Sequence, residues 1–488
     1  MIRSAALGIV LIAVCTTATL DAQRSDATSC VLGARGGFTS DTFPGQPRSS
    51  VGGGGITIVC KSRNITLLAD SGRQTGDDRI DLYGNVRYKE PARIDLQSDF
   101  LSYFQRDERI VATGHVVATL PSGSTLTGPE ATYLRVIPGR RLVEELTAVR
   151  SPTMTIAAQG DSGKPVTLNA TTIFMRGDSM IYGSRNATIM RADLITHSDS
   201  VFLDGRSNQE TMHLMFSPTV EGLQGRKFKL DGEIIDAYSK QKKLERVVAR
   251  GKGHASSQDL DIVADTIDLR MSNDALERAI AWSGAGQAKA KSPGQSISAD
   301  SIDVIMPKQK VTVVYAVRHA FAESEADTVR FRTLEKDWLS GDTVVAWFDT
   351  SATKDSTSTP PIRQILATHH ADSARAYYHL AATDSVLRAP AISYVRGRQI
   401  RLDFDSRRIA FVSVLDSVAG LYLEPRLDTA TVAKATKNAK PATTAAKPSM
   451  IAKPSPAKAS TAKPPLAPPV RKPPSTLERA VAARTPGG

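Results

Sequence analysis

The sequence predicts an all-β protein built from repeated short antiparallel strands, and three observations favour this class. Apolar and polar residues alternate through most of residues 56–425, as in Leu101/Tyr103 and Val116/Ala118, and this is the period of a strand with one buried face. Gly, Pro, Asp or Ser interrupts the alternation at roughly ten-residue intervals, as turns between short strands require. No window keeps apolar residues at helical spacing for long.

The chain begins with a segment typical of exported proteins. Residues 1–22 hold one Arg, an apolar run from Ala5 to Val14, and small or polar residues up to Ala22. This is the pattern of a secretory signal peptide. The run is shorter than a membrane span, which needs about 20 apolar residues, although an uncleaved anchor is an alternative. Lipidation at Cys15 is disfavoured, because the preceding Val14 is bulky where a small residue is needed.

The segment after the signal peptide has little periodicity. Residues 23–55 contain the glycine run Gly52–Gly55, and we predict a flexible lead-in. Once the signal peptide is removed, Cys30 and Cys60 are the two remaining cysteines. An even pair in an oxidising compartment favours a disulfide, and two unpaired thiols are the alternative.

One recurring phrase consists of a small residue, then Asp, then alternating apolar residues. It occurs around Asp70, Asp99, Asp265, Asp300 and Asp342. In residues 297–304 the apolar positions are odd before the Asp and even after it. A strand changes its buried face only at a bulge or a bend. Each small-Asp pair is therefore predicted to be a corner where the chain passes from one sheet into another.

A second phrase places an apolar residue two positions before an alanine. It ends at Ala148, Ala249, Ala281 and Ala367. A small residue commonly follows, as at Gly251, Gly253, Ser283 and Ala285, and this predicts a close approach of two backbones. Neighbouring Asp phrases are roughly 30–40 residues apart, which is the spacing of a unit of several strands stacked on its neighbours. The predicted β-regions are 56–158, 166–348 and 362–425, with a loop or joint at 349–361.

The last segment, residues 426–488, is rich in Ala, Lys and Pro. Residues 431–488 hold eight Lys, three Arg and one Glu, so most of the net charge of +12 lies there. Such a composition cannot bury enough apolar surface to offset its ordering entropy, and we predict a disordered tail. Its charge suits anionic cell-wall polymers or lipid phosphates, with a solvated spacer as the alternative. Export argues against nucleic acid.

Residues 66–150 carry a set of motifs with a family resemblance. The motifs are Ala69-Asp70-Ser71-Gly72, Leu82-Tyr83-Gly84-Asn85-Val86, Leu96-Gln97-Ser98-Asp99-Phe100-Leu101-Ser102-Tyr103, Ile110-Val111-Ala112-Thr113-Gly114-His115-Val116, Gly123-Ser124-Thr125-Leu126-Thr127-Gly128-Pro129 and Tyr133. This stretch resembles the OstA-like family, which includes the periplasmic lipopolysaccharide-transport bridge LptA and the amino-terminal domain of the outer-membrane protein LptD. From residue 168 to residue 425 only the rhythm of the motifs persists.

The resemblance implies an elongated, V-shaped open β-jelly-roll with an apolar inner groove for acyl chains. It further implies a periplasmic bridge that carries lipopolysaccharide or a related glycolipid towards the outer membrane. The implied partners are that lipid, other OstA-like proteins joined through edge strands, and an outer-membrane assembly protein. Association with the outer or inner membrane is a further expectation.

The candidates for the lipid-contacting inner face are apolar residues of the alternating runs. They are Leu101, Tyr103, Ile110, Val116, Tyr133, Leu146, Val247, Ile267, Leu269, Ile302, Val304, Val344, Phe348 and Ile365. A closed β-core is the alternative explanation for the same pattern. It corresponds to the second function class, a non-catalytic structural β-repeat scaffold of the cell envelope.

Catalysis, cofactors and metals are not indicated. The sequence has no phosphate-binding G-x-x-x-x-G-K-[ST] loop, no G-x-S-x-G and no H-E-x-x-H,. The adjacent His369 and His370 make a poor metal pair, because neighbours on a strand face opposite sides. The acidic positions 259, 261, 265 and 268 lack the glycine-punctuated loop of a calcium site, so a solvated strand face is favoured. We expect a protein that is not an enzyme and has no cofactor.

Overall fold

The computed structural model confirms the all-β class. It describes residues 31–425, apart from gaps at 42–43, 46, 158–164, 206–208, 224–226, 241–242, 258–259, 273–274, 326–327, 329–330, 332, 353–359, 383–388 and 406–407. The predicted signal peptide, Cys30, position 259 and the predicted tail lie outside the described residues. Within the described residues, no helix is of the length and apolarity that crossing a membrane requires.

The described chain forms 34 strands and three short 3₁₀ helices. The helices are Lys61–Arg63, Pro307–Gln309 and Thr350–Ala352. The strands are β1 (Val31–Ala34), β2 (Phe38–Asp41), β3 (Ser49–Gly52), β4 (Ile56–Cys60), β5 (Ile65–Ala69), β6 (Ser71–Thr75), β7 (Arg79–Glu90), β8 (Ile94–Phe104), β9 (Arg109–Thr119), β10 (Thr125–Leu134), β11 (Glu145–Val149), β12 (Thr153–Ile156), β13 (Val166–Asn169), β14 (Thr172–Arg176), β15 (Met180–Met190), β16 (Leu194–Asp204), β17 (Gln209–Met215), β18 (Thr219–Gly222), β19 (Phe228–Asp231), β20 (Ile234–Lys240), β21 (Lys243–Ser257), β22 (Asp261–Ser272), β23 (Ala275–Trp282), β24 (Ala288–Ser292), β25 (Gln295–Ala299), β26 (Ser301–Ile305), β27 (Val313–Ser324), β28 (Asp337–Phe348), β29 (Ile362–Thr368), β30 (Ala374–Leu380), β31 (Ala391–Gly397), β32 (Gln399–Asp405), β33 (Arg408–Leu415) and β34 (Ala419–Leu423).

The strands pair into two antiparallel ladders that run side by side along the chain. Ladder A contains β1, β4, β5, β12, β13, β18, β19, β24, β25, β30, β31 and β34. Ladder B contains β2, β3, β6, β11, β14, β17, β20, β23, β26, β29, β32 and β33. Ten long strands give one half to each ladder: β7, β8, β9, β10, β15, β16, β21, β22, β27 and β28. The long strands therefore tie the two ladders together.

The passage from ladder to ladder occurs at corners, as the small-Asp phrase predicts. The pairing of β8 with β9 shifts register between Gln97 and Phe100, on either side of Asp99. The facing strand β9 turns there through Gly114 and His115, with φ of 75° and 43°. The Asp99 carboxylate contacts His115 Nδ1 at 2.7 Å. Two consecutive left-handed residues make the bend, and the carboxylate of the neighbouring strand supports it.

The other four small-Asp pairs also lie at corners. Asp70 separates β5 in ladder A from β6 in ladder B, and Asp300 separates β25 from β26 in the same way. Asp265 lies within β22 and accepts a hydrogen bond from Gly284 N at 2.7 Å. Asp342 lies within β28 and accepts one from His370 N at 2.8 Å. The predicted corners are confirmed at these positions.

One boundary of the predicted organisation needs correction. The lead-in predicted over 23–55 contains β1, β2 and β3, so strands begin before the alternation becomes visible. The segment 349–361, predicted as a loop or joint, lies between the paired strands β28 and β29, as a loop does. The break between the predicted regions at 159–165 lies in the same way between the paired strands β12 and β13. Backbone pairing does not depend on the length of a hairpin loop. All described strands thus belong to one compact unit.

Candidate functional site

The fourteen predicted inner-face residues all lie in or against one continuous hydrophobic core between the ladders. Eight of them form one lateral line of register partners across ladder B, here called the middle row: Tyr103, Ile110, Tyr133, Leu146, Val247, Leu269, Val304 and Ile365. Four belong to a parallel line nearer the corners, the corner row: Leu101, Ile267, Ile302 and Val344. Val116 faces the same core from ladder A, and Phe348 packs against it from the end of β28.

The alanines of the second phrase share one position in the core. Ala148, Ala249, Ala281 and Ala367 are all corner-row residues and are at most 1% exposed. They alternate along the row with larger side chains such as Ile267 and Ile302. Alternation of small and large side chains lets neighbouring positions of a core interdigitate.

The interior is sealed in its first part and partly accessible in its last part. Leu101, Tyr103 and Ile110 are 0% exposed. By contrast, eight apolar side chains from Phe348 onward are partly exposed while still packing on the core, beside fully buried neighbours such as Ile400. They are Phe348, Ile365, Leu380, Val395, Phe404, Ile409, Val412 and Val414. The same apolar surface is thus closed around β7 to β11 and open to solvent in part around β28 to β33.

A buried ionic network, here called the clasp, closes the interior in its first part. Its members are Arg63 and Glu90 at the margin of ladder A, and Glu108 and Arg135 at the margin of ladder B. Arg135 donates from Nε and Nη2 to the two carboxylate oxygens of Glu90, both at 3.0 Å. It also donates from Nη1 to Glu108 at 2.6 Å. These margins are the strand ends farthest from the corners, so corner and clasp close opposite sides of the interior.

Tyrosines join the clasp to the apolar interior. Tyr103 Oη accepts from Arg63 Nη1 and donates to Glu108 Oε2, each at 2.9 Å. Tyr88 Oη donates to Glu90 Oε2 at 3.0 Å. The rings of Tyr88 and Tyr133 meet inside the core at 6.2 Å between centroids. Each tyrosine therefore presents its hydroxyl to the charges and its ring to the core.

The surroundings of the clasp favour the charged form of Arg135 and the neutral form of the tyrosines. Burial lowers the pKa of Arg135, but hydrogen bonds to Glu90 and Glu108 outweigh burial, and the net pKa lies above the ordinary value. Burial is also the main cause that raises the pKa of Tyr88 and Tyr133 far above 10. A paired buried charge of this kind stays charged because its partners replace water.

Two further contacts join the margins of the ladders near the clasp. Arg93, in the hairpin after β7, is ion-paired with Glu144, the residue before β11. Arg191, in the hairpin after β15, donates from Nη1 to Ser239 Oγ of β20 at 3.0 Å. Arg93 and Glu144 are more exposed than the clasp itself. Polar side chains therefore connect the margin of ladder A to the margin of ladder B at several points between β7 and β20.

The two ladders end in strands with large exposed apolar side chains. Within the described chain, β33 pairs with β32 and β34 pairs with β31, and no later strand covers them. Their exposed side chains are Phe411, Leu415, Leu421, Tyr422 and Leu423, each 49–58% exposed. An uncovered strand edge with apolar side chains is a ready template for another strand.

The remaining sequence candidates are distributed around the fold. Cys60 is disulfide-bonded, and its strand pairs with β1, which begins directly after Cys30. Asp261 contacts His254 Nε2 at 2.8 Å. Asp268 accepts from Arg246 at 2.9 and 3.0 Å. These two and Asp265 therefore serve different partners, and the described residues contain no group suited to a metal ion.

His369 and His370 are placed differently from the expectation. They lie between β29 and β30 rather than on a strand, and both contact the corner carboxylate of Asp342, at 3.3 and 3.7 Å. Their proximity is explained by the corner, where two successive residues approach the carboxylate of the neighbouring strand.

Sequence reasoning missed the clasp and some corners. Glu90 follows Tyr88 by two residues, and Arg135 follows Tyr133 by two, so strand parity alone places both charges on the inner face. The corner at Asp199 carries the same small-Asp phrase as the others, in Ser198-Asp199, and β16 changes ladders there.

Comparison with known proteins adds no relative. No protein-family model matches the chain, and no curated protein matches it.

Proposed function

We propose that this protein is a periplasmic lipid-binding bridge that carries lipopolysaccharide or a related glycolipid towards the outer membrane. The observation that carries the proposal is the continuous apolar interior between the ladders, which extends from Ile56 to Leu402 and includes partly exposed side chains beside buried ones around β28 to β33. An interior that runs uninterrupted past every loop offers one path for an acyl chain. The motif resemblance of residues 66–150 supports the same function.

The energetics are adequate for such a cargo. An acyl chain gains about 0.8 kcal/mol for each methylene moved from water into an apolar site. Half-buried side chains such as Phe404 and Val412 already expose apolar surface, so a chain lying on them removes surface from water on both partners. Tight binding of several chains then requires movement to be driven by another component, since the sequence has no nucleotide-binding loop.

The uncovered ends of the ladders provide the contact for neighbouring bridge proteins. Within the described chain, β33 and β34 are the last strands of the two ladders, and their large apolar side chains are exposed. Addition of a strand from an OstA-like partner covers these side chains and continues the interior. An outer-membrane assembly protein is the proposed acceptor at the end of the bridge.

A second candidate is the structural scaffold with a closed core, and one observation favours it. The inner-face residues of β7 to β11 are packed against one another, with Leu101, Tyr103 and Ile110 fully buried. A core packed to this extent leaves no room for a lipid without movement of the ladders. The scaffold needs no such movement.

Site-specific photo-crosslinking in intact cells tests the lipid bridge. A benzoyl-phenylalanine replaces Phe348 or Phe404, both aromatic and half-buried on the inner face. The matched control replaces Trp347, the neighbour of Phe348 on the outer face of β28. Lipid adducts at Phe348 and Phe404 but not at Trp347 support the bridge. Absence of adducts at all three in folded, exported protein leaves the scaffold.

A further inference from the structure

We propose that the clasp is a lateral gate, through which an acyl chain enters the sealed first part of the interior when the two ladder margins separate. The inference rests on the proposed lipid function and adds the route of entry. It comes from one juxtaposition, in which charged residues of opposite margins meet directly above the buried rings of Tyr88, Tyr103 and Tyr133.

The position of the clasp makes it the removable side of the enclosure. The corner side is continuous backbone, because strands such as β7 and β8 run through it from one ladder to the other. The clasp side is joined without ladder pairing, by side chains of Arg63 and Glu90 on one margin and of Glu108 and Arg135 on the other. One of these contacts is to backbone, from Arg135 Nη2 to the carbonyl oxygen of Arg63 at 3.2 Å. Separation of these margins breaks no ladder hydrogen bond. The fold therefore opens at the clasp more readily than at the corners.

The chemistry of the clasp allows opening into water. Its two arginines and two glutamates balance in charge, and each regains hydration once it is exposed. An apolar contact of the same area would expose apolar surface to water on opening, and no hydration of charged groups would offset that cost. The charged residues of the clasp therefore have two favourable arrangements. They are ion-paired when the margins are together and hydrated when the margins are apart.

The arrangement beneath the clasp suits an amphipathic chain. The tyrosine hydroxyls are held at the charges and the rings lie in the core, so the boundary between polar and apolar surroundings runs through these side chains. Inside it lies the middle row, with Ile110 and Leu146 beside the tyrosines. The acyl part of a lipid would enter past the rings while its polar part stays at the margin.

A reversible lock tests the gate without any lipid. Arg93 and Glu144 pair across the same margins beside the clasp, where Arg93 also contacts Glu90 at 3.4 Å. The variant R93C/E144C allows a short, reducible thiol-to-thiol reagent to join these positions, and the locked and unlocked forms of this same variant are compared. Opening is read from the alkylation rate of a cysteine at Leu101, introduced as L101C, with N-ethylmaleimide. The matched interior control is I302C, a corner-row residue that is also 0% exposed and lies far along the chain from the clasp.

The gate predicts that the lock slows alkylation at L101C about tenfold or more, that reduction of the reagent restores the rate, and that I302C is unchanged. The milder variant R135K should raise the rate at L101C and not at I302C. The proposal is overturned if L101C never reacts in the unlocked protein, if the lock leaves its rate unchanged, or if both cysteines respond alike. The photo-crosslinking result does not enter this readout, so failure of the gate is separable from failure of the lipid function.

Discussion

Arg135 and Glu90 form a two-point contact, Nε to Oε2 and Nη2 to Oε1 at 3.0 Å each, although they belong to different ladders. The contact is almost fully buried, with the side chains 10% and 7% exposed. The pair joins the free margins of two sheets, so its loss affects the closure of the interior as well as the local packing.

Replacement of Arg135 by Ala is expected to lower the free energy of unfolding by about 3–5 kcal/mol, because it leaves Glu90 and Glu108 buried without their main partner. Urea-induced unfolding followed by circular dichroism measures the change. The control is R106A, at an arginine in the hairpin after β8 that is 84% exposed and 4.0 Å from Asp78, where about 0.5 kcal/mol or less is expected. Equal effects of the two variants would contradict a structural role for the clasp.

The tyrosines of the clasp are expected to resist ionisation. Burial is the main cause that raises the pKa of Tyr88, Tyr103 and Tyr133 above the ordinary value of 10. The unfolded chain therefore loses these protons first as pH rises, so stability is kept below pH 10 and declines above it. Absorbance at 295 nm should show part of the tyrosinate signal appearing only on unfolding. In Y88F the delayed amplitude should fall, and a single transition near pH 10 in the unmodified protein would argue against burial.

The fit between Gly114 and the Asp99 side chain at their corner can be measured as a change in stability. This residue has φ of 75°, and an added Cβ would lie 2.8 Å from Asp99 Cβ. We expect G114A to cost about 2 kcal/mol or more, since strain in the left-handed region and the clash add. The control is G139A, with φ of 78° but no atom within 4 Å of the added Cβ, which reports the backbone strain alone. Thermal unfolding should show G114A as the more destabilised variant. The difference should shrink when G114A is made in a D99G background, because D99G removes both the carboxylate and the Cβ that the added methyl group meets.

The predicted bond between Cys30 and Cys60 is testable by mass and by stability. C30S is expected to lower the free energy of unfolding by about 2–4 kcal/mol, because the bridge constrains the unfolded chain. Peptide mapping of non-reduced protein should give one cross-linked peptide containing both cysteines. C15S is the control and should leave the stability of the exported protein unchanged. Recovery of Cys60 joined to another thiol would disprove this pairing.

The repeated strands and their corners are properties that the sequence by itself determined. Alternation with a period of two is a local signal, and the change of parity around Asp99 or Asp300 is visible within eight residues. The inner-face residues followed from the same parity, and all fourteen lie at the core. The strands β1 to β3 escaped detection because strands of four residues show too little alternation.

Tertiary structure alone decided how the interior is closed. Glu90 and Arg135 are 45 residues apart in the chain, and each charge at a strand end is by itself indistinguishable from a solvated one. The two side chains meet because the corners of β7 and β10 bring the margin of ladder A close to the margin of ladder B. The continuity of the ladders past residues 349–361 is likewise a tertiary property, because antiparallel pairing between β28 and β29 is set by backbone hydrogen bonds and not by the composition of the loop between them,.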